Sequence, residues 1–129
     1  MLKNLEAFLN ARHVAVVGRG LIEDPVDSWL RQEGGLKRHV VLNVPSYVQA
    51  LQAVAQSDLV AFVPKRLAES LARPLSLTVL LPPIDPGKYQ EYLFYPRRAL
   101  QDPASTWLRK LALEIADRLG GMDRQSFSA

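Results

Sequence analysis

The chain contains no cysteine, which excludes disulfide bonds, thiolate metal ligands and a thiol nucleophile. Its two histidines, His13 and His39, each lie beside a predicted strand without a second ligand at metal-binding spacing. No apolar run approaches the roughly 20 residues of a membrane-spanning helix, and the N-terminal residues lack the pattern of a signal peptide. We therefore expect a cytoplasmic chain without a metal ion, a cofactor or a membrane contact.

The charge balance gives little support for direct nucleic-acid binding. The 129 residues carry 16 Lys and Arg against 13 Asp and Glu, a formal net charge of +3. A DNA-binding module clusters its basic residues on one element, whereas here they are scattered among loops and helix backs. A hydrophobic content of 48% is sufficient for one domain with an apolar core. We expect no specific DNA binding by these residues alone.

The most informative stretch is residues 38–71, which reads as strand, helix, strand and helix. Two aliphatic runs, residues 38–44 and 59–63, flank a segment in which Ser46 can cap a helix. Gln49, three residues after Ser46, completes a capping-box pattern. Two such strands joined by a crossover helix predict a parallel βαβ unit whose sheet is covered on both faces.

Further elements fit the same pattern. A short helix opens the chain, and two later helices begin at Asp24-Pro25 and Asp102-Pro103, where an N-cap residue precedes a proline. We predict an α/β fold with one mainly parallel sheet and helices on both faces. Its strands are residues 13–17, 38–44, 59–63 and 75–81, and residues 90–95 form a fifth strand after a proline-rich crossover.

Motifs for catalysis are missing from this pattern. No G-x-S-x-G element is present, and Gly18-Arg19-Gly20 lacks the third glycine and the immediate helix of a dinucleotide loop, so it reads as a turn. Glu23, Asp24 and Asp27 lie at a helix N-terminus, where the helix dipole accounts for their charge. The basic pairs Lys65-Arg66 and Arg97-Arg98 read as solvated surface.

Two segments carry a resemblance to a known family. The segments VPSYVQALQAVAQSDLVAFVPKRLAE and FYPRRALQDPASTWLRKLAL, in this order, resemble the effector-binding domain of LysR-type transcriptional regulators. The resemblance covers residues 5–119 and implies a fold like that of the type 2 periplasmic binding proteins. It also implies a non-enzymatic role, in which a small molecule modulates DNA binding and transcription in a bacterial regulator. A complete regulator of this family has a winged helix-turn-helix, a linker helix and a first half of the effector domain before this part.

The resemblance assigns residues 1–121 to the second half of that effector domain. Residues 12–84 correspond to its second subdomain, residues 88–121 to the closing strand and helix of its first subdomain, and residues 122–129 to a tail. DNA contact is then expected only through the separate N-terminal domain. A small solute-binding protein or a small enzyme of similar doubly wound fold remains the alternative, because fold alone does not fix function.

The strand ends indicate where a ligand would bind. Open parallel sheets bind ligands beyond the carboxyl ends of their strands, and the matching residues of the resembled family line its effector cleft. The helix N-terminus at Ser46 adds backbone N–H groups and a positive dipole end, which favours an anionic effector. The predicted effector-binding residues are Pro45, Ser46, Tyr47, Phe62, Val63 and Pro64.

Self-association is expected from apolar helix faces. In the resembled family, effector domains pair through helices and strands of opposite subdomains and form dimers and tetramers. The stripe along residues 107–119 lacks a partner within the sequence. The predicted dimer-interface residues are Trp29, Trp107, Leu108 and Leu111.

Overall fold

The computed structural model describes residues 4–87 and 92–119. The chain divides into two compact units, Met1–Tyr89 and Gln90–Ala129. Within the described ranges, none of the helices combines the length and the apolarity that a bilayer crossing requires. The predicted tail, residues 122–129, lies outside the described residues.

The first unit contains a three-stranded parallel sheet. Its strands are β1 (His13–Val16), β2 (Val40–Val44) and β3 (Val60–Ala61), in the order β2-β1-β3. His13 is paired with Val40 on one side and with Val60 on the other. The prediction that residues 38–44 and 59–63 share one sheet is therefore confirmed. The sequence did not indicate that β1 would separate them.

Four helices complete this unit: α1 (Leu5–Asn10), α2 (Pro25–Gln32), α3 (Tyr47–Ala55) and α4 (Lys65–Ala72). The predicted caps are confirmed, because Asp24 caps α2 ahead of a proline and Ser46 caps α3. The Ser46 hydroxyl accepts from the Gln49 amide at 3.2 Å and donates to Gln49 Oε1 at 3.1 Å. The Gln49 side chain thus meets the capping hydroxyl itself rather than the Ser46 amide of a reciprocal box.

The alternation of side chains along β1 covers both faces of the sheet. Val14 and Val16 pack with Ala50 of α3 on one face. His13 points to the other face, where its ring meets that of Phe8. Phe8 forms a second apolar cluster with Val26 and Leu30 of α2 and with Ile84. Helices therefore lie on both faces, as predicted.

The predicted fourth strand, residues 75–81, is wrong. Its first residues complete the end of α4, since the Leu75 and Leu77 amides donate to the Leu71 and Ala72 carbonyls. Ser76 adopts a φ of 55° in this turn. The residues that follow belong to no ladder of the described sheet, and Leu81 is 92% exposed. An apolar, β-prone composition alone does not make a strand without a neighbour to pair with.

The second unit contains a 3-10 turn, Arg97–Gln101, followed by α5 (Pro103–Arg118). Asp102 caps α5 through the Ser105 amide at 3.2 Å, which confirms the predicted Asp-Pro start. Arg109 joins the two elements by donating to the Ala99 carbonyl at 3.0 Å and lying 4.5 Å from the Tyr95 ring centroid. The predicted strand 90–95 is not formed at residues 92–95, and its first two residues lie outside the described ranges.

Candidate functional site

The carboxyl ends of the three parallel strands open at one edge of the sheet. Val44 leads directly into Pro45 and Ser46 at the end of β2, and Ala61 leads into Phe62, Val63 and Pro64 after β3. At the opposite edge, an exposed ion pair between Arg12 and Asp58, 2.8 Å apart, joins the residues that precede β1 and β3. All six predicted effector-binding residues therefore share one edge, but they fall into two groups.

The two groups are separated by the end of β1. Neighbouring strands lie about 4.8 Å apart, so β2 and β3, on either side of β1, are separated laterally by about 10 Å. Between them, β1 continues into residues 17–23, which we call the β1 loop. A ligand that contacts both Ser46 and Val63 must span β1 or touch this loop. The strand order also reverses between β1 and β3, which is where open α/β sheets form their ligand crevice.

Ser46 and Tyr47 form the β2 side of the edge. Ser46 has the extended backbone of an N-cap residue, with φ −144° and ψ 155°. Tyr47 is half-buried and packs against the Val14, Val16 and Ala50 cluster. Pro45 is exposed. This side therefore offers a hydroxyl and the positive end of a helix dipole beside a fixed aromatic ring.

Phe62, Val63 and Pro64 form the β3 side, and all three are half-buried. The Phe62 ring packs edge-on against Phe8, with centroids 6.2 Å apart, so it contributes to the core beneath the edge. Pro64 precedes α4, and its carbonyl accepts from the Ala68 amide at 3.0 Å. This side is apolar and is fixed by the packing below it.

Asp24 ties the β1 loop back onto its own strand, a role that the sequence did not reveal. Its carboxylate is 3% exposed. Oδ2 accepts from the Val16 amide at 2.6 Å and Oδ1 from the Val26 amide at 2.8 Å. The Val17 amide bonds to the Val44 carbonyl on the β2 side, so the preceding amide, Val16, faces the β3 side. Asp24 thus supplies an acceptor where β3 has already ended.

Arg38 compensates the charge of this buried carboxylate. Its side chain is fully buried, and Nη2 lies 3.1 Å from Asp24 Oδ2. Nε and Nη2 also form a fork on the Asp27 carboxylate, at 2.7 and 3.1 Å. Of the three acidic residues that the helix dipole explained, Asp24 and Asp27 are therefore also partners of a buried arginine, whereas Glu23 pairs with the exposed Arg31. The sequence shows Arg38 two residues before a strand, but no local pattern indicates that this arginine pairs with Asp24.

His13 lies beneath the same network and is fully buried. Its Nε2 donates to the Phe8 carbonyl at 2.6 Å, while Nδ1 is buried and has no hydrogen-bond partner among the described residues. Burial lowers the pKa of His13 below its ordinary value of 6.5, against the opposing effect of the Phe8 carbonyl, and the Arg38 charge lowers it further. In the described part of the chain, no group of three or more His, Asp or Glu is arranged to hold a metal ion.

The predicted interface residues lie in both units. Trp29 of α2 is half-buried and lines an open concavity of about 520 Å³ together with Leu21 and Ile22 of the β1 loop. In the second unit, Trp107 is 65% and Leu108 58% exposed on α5. Leu111 lies on the same helix and is 37% exposed. Another concavity, of about 240 Å³, lies between Tyr95, Arg109 and α5.

Comparison with known proteins identifies the family to which this chain belongs. Residues 4–117 match the family model described as the LysR substrate binding domain. The chain is 33% identical over 118 residues to Nodulation protein D 1 of Sinorhizobium fredii, covering 90% of this chain and 36% of that protein. It is 26% identical over 116 residues to Nodulation protein D 1 of Rhizobium meliloti, with 90% and 38% covered. The chain thus spans about a third of the length of these relatives.

A solved structure agrees with these matches. The crystal structure of a probable transcriptional regulator from Pseudomonas aeruginosa superimposes with a TM-score of 0.60 at 28% sequence identity. The match covers 64% of this chain and 27% of that chain.

Proposed function

Because the chain belongs to the LysR substrate binding domain family, we propose that it is the effector-sensing and oligomerisation part of a bacterial LysR-type regulator. A small molecule binds at the carboxyl edge of the sheet and modulates DNA binding and transcription. DNA contact belongs to a separate winged helix-turn-helix domain of the regulator. The molecule is bound without being converted.

One observation carries the proposal: the ends of β2, β1 and β3 open at the same edge, and a helix begins there at Ser46. Parallel sheets of this class bind ligands at that edge. Pro45, Ser46 and Tyr47 contact the ligand from the β2 side. Phe62, Val63 and Pro64 contact it from the β3 side.

The chemistry of the two sides favours a small molecule with an anionic group and an apolar body. The anionic group, such as a carboxylate, accepts from the Ser46 hydroxyl in place of Gln49 Oε1 and meets the positive end of α3. The apolar body extends across β1 toward Val63, which the separation of about 10 Å allows for a molecule the size of an aromatic acid. This division of roles follows from the polarity of each side.

The test is effector affinity of the full-length regulator carrying Ser46→Gly or Tyr47→Ala. Glycine retains most of the capping stability, so Ser46→Gly removes the hydroxyl at a cost of only a few tenths of a kcal/mol. Ser57→Gly is the matched control, because Ser57 lies beyond the other end of α3, where its hydroxyl donates to the Ala53 carbonyl. We expect at least tenfold weaker binding for the two edge variants and no change for the control.

A loss of less than about threefold in both edge variants would place the effector elsewhere, since a tenfold change corresponds to about 1.4 kcal/mol. Calorimetric titration with the regulator's effector measures the affinity. Thermal unfolding of the same samples shows whether each variant is folded.

A further inference from the structure

Asp24 lies at the point where the strand order reverses, and its contacts go beyond those of a helix cap. A capping carboxylate normally accepts from one or two amides of its own helix. Here one oxygen accepts from Val26 of α2, while the other accepts from Val16 of β1 and pairs with Arg38. One carboxylate therefore joins the strand, the following helix and the residue that leads toward β2.

These contacts close the β1 loop at both of its ends. At its start, the Val17 amide donates to the Val44 carbonyl at 3.0 Å. At its end, Asp24 returns to Val16, so residues 17–23 leave the strand and come back to the same point. The loop contains one internal turn, from the Leu21 amide to the Gly18 carbonyl at 3.1 Å, and Gly20 has a φ of 83°. Glu23 of the loop also pairs with Arg31 of α2, but both side chains are solvent-accessible, so the two buried anchors hold the loop more firmly than this ion pair does.

The tip of the loop is apolar and open to solvent. Leu21 is 53% exposed and Ile22 is 100% exposed. The tip follows the carboxyl end of β1, so it lies at the edge where the effector is proposed to bind. An apolar tip held there provides a surface for the apolar body of a ligand, provided that the loop keeps one conformation.

The charge network makes Asp24 a firm anchor. A buried carboxylate without a counter-ion is strongly unfavourable, whereas a paired and hydrogen-bonded one is tolerated. Arg38 provides that counter-ion and is fixed in turn by its fork on Asp27. Within residues 4–87 and 92–119, Arg38 Nη1 has no hydrogen-bond partner, so the guanidinium depends on the two carboxylates for its compensation.

We propose that Asp24 is a positioning residue for effector recognition: with Arg38, it holds the β1 loop against the end of β1 and presents Leu21 and Ile22 to the ligand. The inference rests on the proposed function for its biological meaning. Its structural content, an immobile loop anchored by Asp24, is testable without any effector.

The experiment uses a nitroxide label on the thiol introduced by Ile22→Cys, which is unique because the chain has no cysteine. Asp24→Asn keeps the size and capping ability of the side chain but removes its charge. Asp102→Asn is the matched control, since Asp102 also caps a helix ahead of a proline but is exposed. We expect the rotational correlation time of the label to shorten at least twofold in Asp24→Asn and to remain unchanged in Asp102→Asn.

A second measurement separates anchoring from stability alone. Hydrogen exchange of the Val16 amide should accelerate at least tenfold in Asp24→Asn, well below its unfolding midpoint, while the Val14 amide stays protected. If Asp24→Asn lowers the unfolding midpoint but changes neither the label spectrum nor Val16 exchange, Asp24 is merely structural and the proposal fails. If Asp24→Asn does not fold, Arg38→Lys replaces it, because lysine keeps the charge and loses the fork; an unchanged label spectrum then overturns the proposal.

These outcomes are independent of the effector-site test. Loss of effector binding in Ser46→Gly concerns the β2 side of the edge and leaves the label at Ile22→Cys unaffected. If Asp24→Asn releases the loop but leaves the effector affinity unchanged, Asp24 anchors the loop and has no role in effector recognition.

Discussion

At the residue scale, burial makes His13 a neutral histidine at neutral pH. The ring is fully buried and donates to the Phe8 carbonyl, and no described residue is a partner of Nδ1. Protonation would add a second cation beside Arg38 and an unsatisfied N–H group in the interior. Desolvation is the largest cause of the lowered pKa of His13. The charge of Asp27 raises this pKa, and that of His39 lowers it further.

This pKa gives a prediction for stability against pH. A folded-state pKa below the unfolded value of 6.5 means that the unfolded chain binds the proton more readily. The contribution of neutral His13 is complete above pH 6.5 and is lost as the pH falls below it. The slope for one proton is at most about 1.4 kcal/mol per pH unit.

Urea unfolding of the wild type, His13→Gln and His39→Gln between pH 8 and pH 5 measures this slope. We expect His13→Gln to be less stable at pH 8 and to have a flatter pH profile than the wild type. His39 is the smallest of the causes that lower the His13 pKa, so His39→Gln should change the slope far less than His13→Gln does. Equal slopes in all three proteins would contradict the assignment.

The identities of these residues were visible in the sequence, but their environments were not. Ser46, Asp24 and Asp102 were predicted as caps because the signal is local and lies within three residues of each cap. The burial of Asp24 depends on Arg38, which follows it only after the whole of α2. Long-range pairing of this kind leaves no periodic trace in a single sequence.

At the element scale, α2 and α5 begin with the same Asp-Pro dipeptide in different surroundings. Asp102 is exposed and accepts from one amide of its own helix. Asp24 also satisfies Val16 and compensates Arg38. The two helix N-termini therefore contribute differently to stability although both have the sequence Asp-Pro.

We predict that Asp102→Ala destabilises the protein by about 1 kcal/mol, the usual value of an N-cap. Asp24→Ala should cost about 3 to 5 kcal/mol, because it leaves a buried arginine without one of its partners. Chemical denaturation with matched m-values provides both numbers. Similar losses in the two variants would show that the buried pair contributes no more than a cap.

Element positions were predictable where pattern and neighbours agreed. Residues 38–44 and 59–63 were recognised because each is a short aliphatic run bounded by helix signals. Residues 75–81 are also rich in aliphatic side chains, but they begin within the turn that ends α4, where the Leu77 amide donates to the Ala72 carbonyl. Composition describes which residues a strand tolerates, while pairing depends on a neighbour that a single sequence does not specify.

At the scale of the whole molecule, the exposed apolar surface of α5 supports the proposed self-association. Trp107 and Leu108 are both more than half exposed, and Leu111 lies on the same helix. Contiguous apolar surface of this kind is uncommon on a monomer and marks interaction sites. We propose that a second copy of the chain covers this surface, and exchange of this segment between two copies is one route to such a dimer.

We therefore predict that the chain dimerises and that Trp107→Glu or Leu111→Glu weakens the dimer at least tenfold. Each substitution removes an apolar side chain whose full burial contributes about 1.5 to 3 kcal/mol. Lys110→Glu is the control on the same helix, because Lys110 is already exposed and charged. Light scattering over a concentration series measures the association, and a wild-type monomer at high concentration would contradict the prediction.

The central position of β1 has a consequence for how the chain is made. β1 comes first in the sequence, but both of its neighbours, β2 and β3, are synthesised after it. During translation the residues His13–Val16, all buried in the folded chain, therefore emerge with both strand edges unpaired. The sheet cannot close until Ala61 has left the ribosome, and pairings this distant are slow to form. For that interval the unpaired edges of β1 are open to a chaperone or to a neighbouring unfinished copy.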